Sequence, residues 1–187
     1  CRAQLQAQVE AVGCKVAGWR EVPTDDSVCG QLARDTLPRI EQVFVDAGVG
    51  QDDAGFGLAL FLARRRSEQQ LREHADYYVT TLSPNAISYK GMVLPDKLSR
   101  FFPDLQRREL ASSAIVFHQR FSTNTLPRWP LAHPFRMLAH NGEINTIEGN
   151  RRWAQARSKV WKTPRFDIGE FDPVISMHGS DSQSLDN

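Results

Sequence analysis

Apolar and polar positions change period several times along this 187-residue chain, and each period predicts an element. Leu5, Val9 and Val12 recur at spacings of four and three, so residues 2–12 are predicted as a helix, with Gly13 as its stop. "KVAGWREV" (15–22) alternates and predicts a strand closed by Pro23. "TDDSVCGQLARDTLP" (24–38) suits a short helix capped by Asp25, Asp26 or Ser27, and "RIEQVFVD" (39–46) a second strand. After the Gly- and Asp-rich turn "AGVGQDDAG" (47–55), the apolar run "FGLALFLARR" (56–65) is expected to return as an antiparallel strand. Ser67 with Gln70 reads as a capping box that opens a helix over 67–75.

Further on, "YYVTTLS" (77–83) and "AISYKGM" (86–92) around Pro84–Asn85 predict a hairpin, and "PDKLSRFF" (95–102) a short helix. "SAIVFHQRF" (113–121) and "FRMLAHNG" (135–142) predict strands. Residues 146–161 predict a helix with Ile147, Trp153, Ala154 and Val160 on one face, and 162–187 a loop-like tail. Strands and helices do not alternate strictly, and most strands return antiparallel, so the fold class is α+β.

Composition narrows this picture only a little. Hydrophobic residues make up 41% and charged residues 24%, and the net charge is +1, an ordinary globular mixture that points to neither nucleic acid nor a membrane surface. The longest apolar stretch, 56–63, is too short to span a bilayer. Three cysteines, Cys1, Cys14 and Cys29, lack metal or cluster spacing, and an odd, sparse count favours a reducing compartment such as the cytosol. The histidines His118, His133, His140 and His178 have no ligand spacing, so no metal site is expected. Both ends look abrupt: "CRAQLQAQVEAV" starts as a helix under way, and "GSDSQSLDN" stops without a closing element. The chain is therefore expected to be a piece of a longer protein, one domain truncated at both ends.

The chemistry concentrates in residues 117–150, at the ends of two predicted strands. In "AHNGEIN" (139–145), the Asn141 side chain and the Gly142 backbone N–H are two donors of the kind that build an oxyanion hole; a plain Asn-Gly turn is the alternative. In "HQRFSTNT" (118–125), Arg120 leaves a predicted buried strand beside hydroxyls at Ser122, Thr123 and Thr125. Its guanidinium suits a carboxylate of a ligand or, alternatively, an internal Asp or Glu. In "HGSDSQSLDN" (178–187), Asp181 sits among small residues and can receive an ammonium group, cap a helix, or do both.

Together these stretches resemble the glutaminase domain of glutamate synthase, a class II, N-terminal-nucleophile amidotransferase. "HQRFSTNTLPRWPLAHPFRMLAHNGEINTIEGN" is similar to that family almost without a break, "GSDSQSLDN" to its later segment, and "GWREVP" and "IEQVFV" to its upstream part. The resemblance implies a four-layer αββα sandwich and hydrolysis of L-glutamine to glutamate and ammonia through a thioester on an N-terminal cysteine. It implies an oxyanion hole at Asn141 and Gly142, an α-carboxylate clamp at Arg120 with Thr123 in the same pocket, and an α-ammonium clamp at Asp181. For the full-length protein it implies FMN and an iron–sulfur cluster, reductive amination of 2-oxoglutarate, further large-subunit domains and a small reductase subunit.

Cys1 departs from the family pattern. The family's nucleophile opens a glycine-rich strand beginning "CG", with an "HRG" segment downstream, whereas Arg2 and a helical pattern follow Cys1. The nucleophile is thus expected upstream, and the chain alone is expected to be inactive. Two alternatives stand beside this: a non-catalytic glutamine-binding or interaction module of the same fold, and a complete N-terminal-nucleophile amidohydrolase that uses Cys1.

Overall fold

A computed structural model describes the chain except at positions 75, 122–124, 137, 139–142, 178 and 187. Its elements group into two units, Cys1–Tyr89 with Val93–Ala111, and Lys90–Met92 with Ser112–Asn187.

The first unit begins with helix α1 (Arg2–Ala11), which buries Leu5 and Val9 on one stripe, as their spacing predicts. Gly13 ends it with φ +82°, a left-handed conformation that costs glycine little. Its N–H donates to the Glu10 carbonyl and the Cys14 N–H to the Val9 carbonyl, a Schellman closure. Strands β1 (Lys15–Glu21) and β2 (Glu41–Asp46) then pair antiparallel, close to the predicted bounds. Between them, Asp25 caps a 3-10 turn by accepting the Ser27 N–H, and α2 (Gln31–Asp35) follows as the short helix expected there.

The ladder carries one irregularity. Val16 pairs with Val45 and Gly18 with Phe44, so Ala17 is an extra residue on β1. This bulge explains an odd spacing in the core. Val16 and Trp19 both pack on the same apolar cluster although they lie three positions apart, whereas Val43 and Val45 on β2 keep the regular spacing of two.

The run expected as a third strand, 56–65, is instead the middle of helix α3 (Asp53–Gln70). Asp52 caps it by accepting the Gly55 N–H at 2.8 Å, and the Ala-, Leu- and Arg-rich sequence that follows favours helix. Ala59, Ala63 and Ser67 recur every four residues on its buried side, and Ala59 and Ala63 pack with Leu5, Val9 and Cys14 into the core of this unit. Ser67, expected to open a helix, lies inside α3: its hydroxyl is fully buried, donates to the Arg64 carbonyl and meets the Tyr77 hydroxyl at 3.0 Å.

The expected hairpin over 77–92 forms no ladder among the described residues. Side-chain oxygens close its turns instead, with Ser83 accepting the Asn85 N–H and Thr81 the Ser88 N–H. Helix α4 (Leu98–Phe101) agrees with expectation, and Phe101 and Phe102 stack edge to face beneath it. Against the sheet face that carries Arg20, the Arg20 guanidinium grips both oxygens of Asp104, its Nε donates to Gln42 at 2.7 Å, and the Tyr89 hydroxyl donates to Asp104 at 3.0 Å.

In the second unit, the strand expected at 113–121 is absent among the described residues. Ile115, Val116 and Phe117 are exposed, so these β-formers find no sheet to join. The strand expected at 135–142 lies largely outside the described residues; within it, the Phe135 N–H donates to the Leu138 carbonyl at 2.8 Å. Helix α5 (Ile147–Ser158) forms as expected, but its buried position is Arg151, while Trp153 and Val160 are exposed. The tail folds into a 3-10 turn at Ile168–Phe171 and helix α6 (Asp181–Asp186). The architecture is α+β with a small antiparallel sheet. Among the described residues no helix is long and apolar enough to cross a membrane.

Candidate active site

Helix α6 carries Asp181, one of the residues singled out in the sequence. Six residues are too few to hold a helix by themselves, so its ends must be fixed from outside. Ser180 fixes the start: its hydroxyl accepts the Gln183 N–H at 3.1 Å and its carbonyl the Ser184 N–H at 3.0 Å. That is the work of an N-cap, so the cap expected of Asp181 belongs to Ser180. Asp181 is the first residue inside the helix and is only 4% exposed. One carboxylate oxygen accepts the Ser182 N–H at 2.7 Å and the Ser182 hydroxyl at 3.2 Å, while the other accepts the Ile144 N–H at 2.9 Å. These donors supply the buried carboxylate with hydrogen-bond partners and hold it in one orientation.

The far end of α6 is held by Arg136, whose backbone N–H donates to the Asp186 carboxylate at 3.1 Å and whose guanidinium donates to the Asp186 carbonyl. Lys90, 7% exposed, donates to the Pro130 carbonyl at 2.9 Å and lies 5.0 Å from the Phe135 ring centroid. Burial pulls its ammonium down to about pKa 8, partly offset by the charge of Asp186.

Arg120 is exposed rather than leaving a buried strand. Its N–H donates to His118 Nδ1 at 2.9 Å, and the His118 ring stacks on His133 at 4.3 Å between centroids. Among the described residues the Arg120 guanidinium has no carboxylate partner. The Thr125 hydroxyl is buried and has no hydrogen-bond partner among the described residues, a costly arrangement that folds rarely keep without use. Thr123, Asn141 and Gly142 lie outside the described residues. No hydrogen bond or ion pair joins Arg120 to Asp181 among the described residues.

Two features escape the sequence reading. Patterning places Arg151 merely within a helix that has an apolar face, and it treats His118 and His133 only as possible metal ligands. A signal for Arg151 is present all the same: position 151 lies on the same side of the helix as Ile147 and Ala154.

Asp181 is thus a buried, donor-bound acid on a short helix, tied to the backbone two positions after the Asn-Gly pair of the sequence. The chain belongs to the class-II glutamine amidotransferases, whose family pattern matches residues 1–187. Within that family it is similar to glutamate synthases. It is 43% identical to the glutamate synthase [NADPH] large chain of Azospirillum brasilense, over 100% of this chain and 12% of that protein. Identity is 39% with the large chain of Bacillus subtilis (strain 168), over 98% of this chain and 12% of that protein. It is 40% with ferredoxin-dependent glutamate synthase 2 of Synechocystis, over 100% and 12%. The chain thus spans about an eighth of the length of these relatives.

Proposed function

We propose that these 187 residues are the glutamine-binding part of a glutamate synthase glutaminase domain, folded as part of a four-layer αββα sandwich. The substrate is L-glutamine, and the products are glutamate and ammonia. Asp181 takes the α-ammonium, Arg120 and Thr123 the α-carboxylate, and Asn141 with Gly142 the oxyanion. The observation that carries this reading is the bond from Ile144 N–H to Asp181. It fixes the acid to the backbone close in sequence to the Asn141–Gly142 donors, as a site must be if it grips one end of glutamine and polarises the other.

The reaction needs a thiolate, and the described cysteines do not supply it. Cys1 leads directly into helix α1 rather than into a glycine-rich strand, Cys14 is packed with Leu5, Val9, Ala59 and Ala63, and burial pushes the Cys29 thiol up. We therefore assign the nucleophile to a cysteine outside these residues, which leaves this chain alone without glutaminase activity. Its three free thiols suit a reducing compartment. Ammonia then serves the reductive amination of 2-oxoglutarate in the longer polypeptide, with a small reductase subunit as partner. An iron–sulfur cluster takes four thiolates, and Cys14 is sealed in an apolar core, so these residues do not fit one. The cluster and FMN are assigned to other segments.

The test is glutamine hydrolysis by the full-length polypeptide. Asp181→Asn is expected to raise KM for glutamine by roughly tenfold to a hundredfold, as loss of a charge-assisted contact does. A glutamine-analogue electrophile is expected to alkylate a cysteine other than Cys1. Labelling of Cys1, with activity lost in Cys1→Ser, would refute this assignment.

A further inference from the structure

Arg151 is a buried cation whose nearest carboxylate stands in water. Its side chain is 8% exposed, while its ion-pair partner Glu148, 2.6 Å away, is 67% exposed. Burying a guanidinium is expensive unless its nitrogens find acceptors, and here each of the three does. Nε donates to the Ser184 hydroxyl at 3.0 Å, and Nη2 donates to the same hydroxyl at 2.9 Å and to the Gly179 carbonyl at 2.7 Å. Ser184 in turn donates to the Ser176 carbonyl at 2.7 Å or the Ser180 carbonyl at 3.1 Å. The planar fork thus spans the chain on both sides of Asp181, reaching Gly179 before it and Ser184 after it.

We propose that Arg151 is a positioning residue that aims the Asp181 carboxylate at the substrate's α-ammonium group. The proposal rests on the reading of Asp181 given above. Arg151 acts by fixing the first turn of α6 to α5, and α5 begins directly after the stretch that Ile144 ties to Asp181. Acid and donor stretch are therefore joined twice, once through Ile144 and once through Arg151. A lysine offers a point charge in place of the fork, so it cannot hold Gly179 and Ser184 together.

The test compares two substrates in the full-length polypeptide: L-glutamine and its analogue lacking the α-amino group, the monoamide of glutaric acid. The readout is the ratio of their kcat/KM values. In Arg151→Met this preference for glutamine is expected to fall roughly tenfold to a hundredfold, the usual cost of a contact misplaced by about an ångström. The fall should appear in KM for glutamine, with the analogue's kcat/KM changed less than about threefold. Arg151→Lys should recover little of the preference, and Ser184→Ala should lose part of it. If Arg151→Met does not fold, Ser184→Ala decides. An equal loss on both substrates, or an unchanged ratio in these variants, overturns the proposal. Asp181→Asn separates the two ideas. If it leaves the ratio intact, the Asp181 reading itself fails. If it collapses the ratio while Arg151→Met and Ser184→Ala do not, only the role of Arg151 fails.

Discussion

Replacing Asp104 by asparagine should loosen the first unit in a pH-dependent way. The Asp104 side chain is 8% exposed and accepts from two Arg20 nitrogens and from the Tyr89 hydroxyl. Arg20 also binds Gln42, which donates to Tyr89 at 3.3 Å, so one carboxylate closes a four-residue network between the sheet and the 3-10 turn at Pro103–Gln106. The amide in Asp104→Asn keeps the shape of the carboxylate and loses its charge. A hydrogen bond to a charged group contributes roughly 1.5–3 kcal/mol, but the Arg20 side chain is 34% exposed and water recovers part of it. A net loss of about 2 kcal/mol at pH 7 is expected. The Arg20 hydrogen bond holds the Asp104 carboxyl below the usual carboxylate range. Its stabilisation is therefore complete above the unfolded pKa of about 3.9 and disappears as pH falls through the lower folded value. Urea unfolding of both proteins at pH 7 should show midpoints separated by about 1 M, given ordinary urea slopes. At pH 3 the gap should narrow. A gap of equal size at both pH values, or none at pH 7, would show that the charge does not act as argued.

Two other outcomes are expected. Lys90 is depressed to about pKa 8 by burial and titrates near about 10.4 when unfolded, so the unfolded chain binds more protons between these values and stability rises with pH there. The contribution is about 3 kcal/mol, and melting temperatures from pH 7 to 10 should rise more, or fall less, in wild type than in Lys90→Met. Ala63 is fully buried where α3 meets α1, so Ala63→Leu should cost about 1–3 kcal/mol by overpacking, read as a lower thermal midpoint.

Local chemistry is legible in the sequence wherever it decides the outcome. Gly13 ends α1, Asp25 caps its turn, and β1 and β2 follow their alternation, because each depends on neighbours within a few residues. The run 56–65 misleads because a short apolar stretch has no period that separates strand from buried helix; the cap at Asp52 and the Ala content decide it. The residues around Ile115 carry β-propensity, but a strand needs a partner, and propensity does not provide one. In the second unit, its small neighbours single out Asp181 in the sequence, and the structure buries it. Arg151 carries only the faint signal of sharing a helix side with Ile147 and Ala154, because hydrophobic patterning assigns charged side chains to water and cannot see a carbonyl and a hydroxyl converging from 28 and 33 residues away.

The bulge at Ala17 also sets where this domain can change length. β1 has seven residues opposite six in β2. Val16 and Trp19 share a face because one residue between them is in excess. Removing Ala17 leaves them two positions apart, still on the core side, and merely regularises the ladder. The same deletion one step past Trp19 would turn Glu21 to the face that now holds Arg20 and break its registry with Glu41. Related chains should therefore gain or lose a residue between Val16 and Trp19 without rearrangement, and should keep the spacing fixed beyond it.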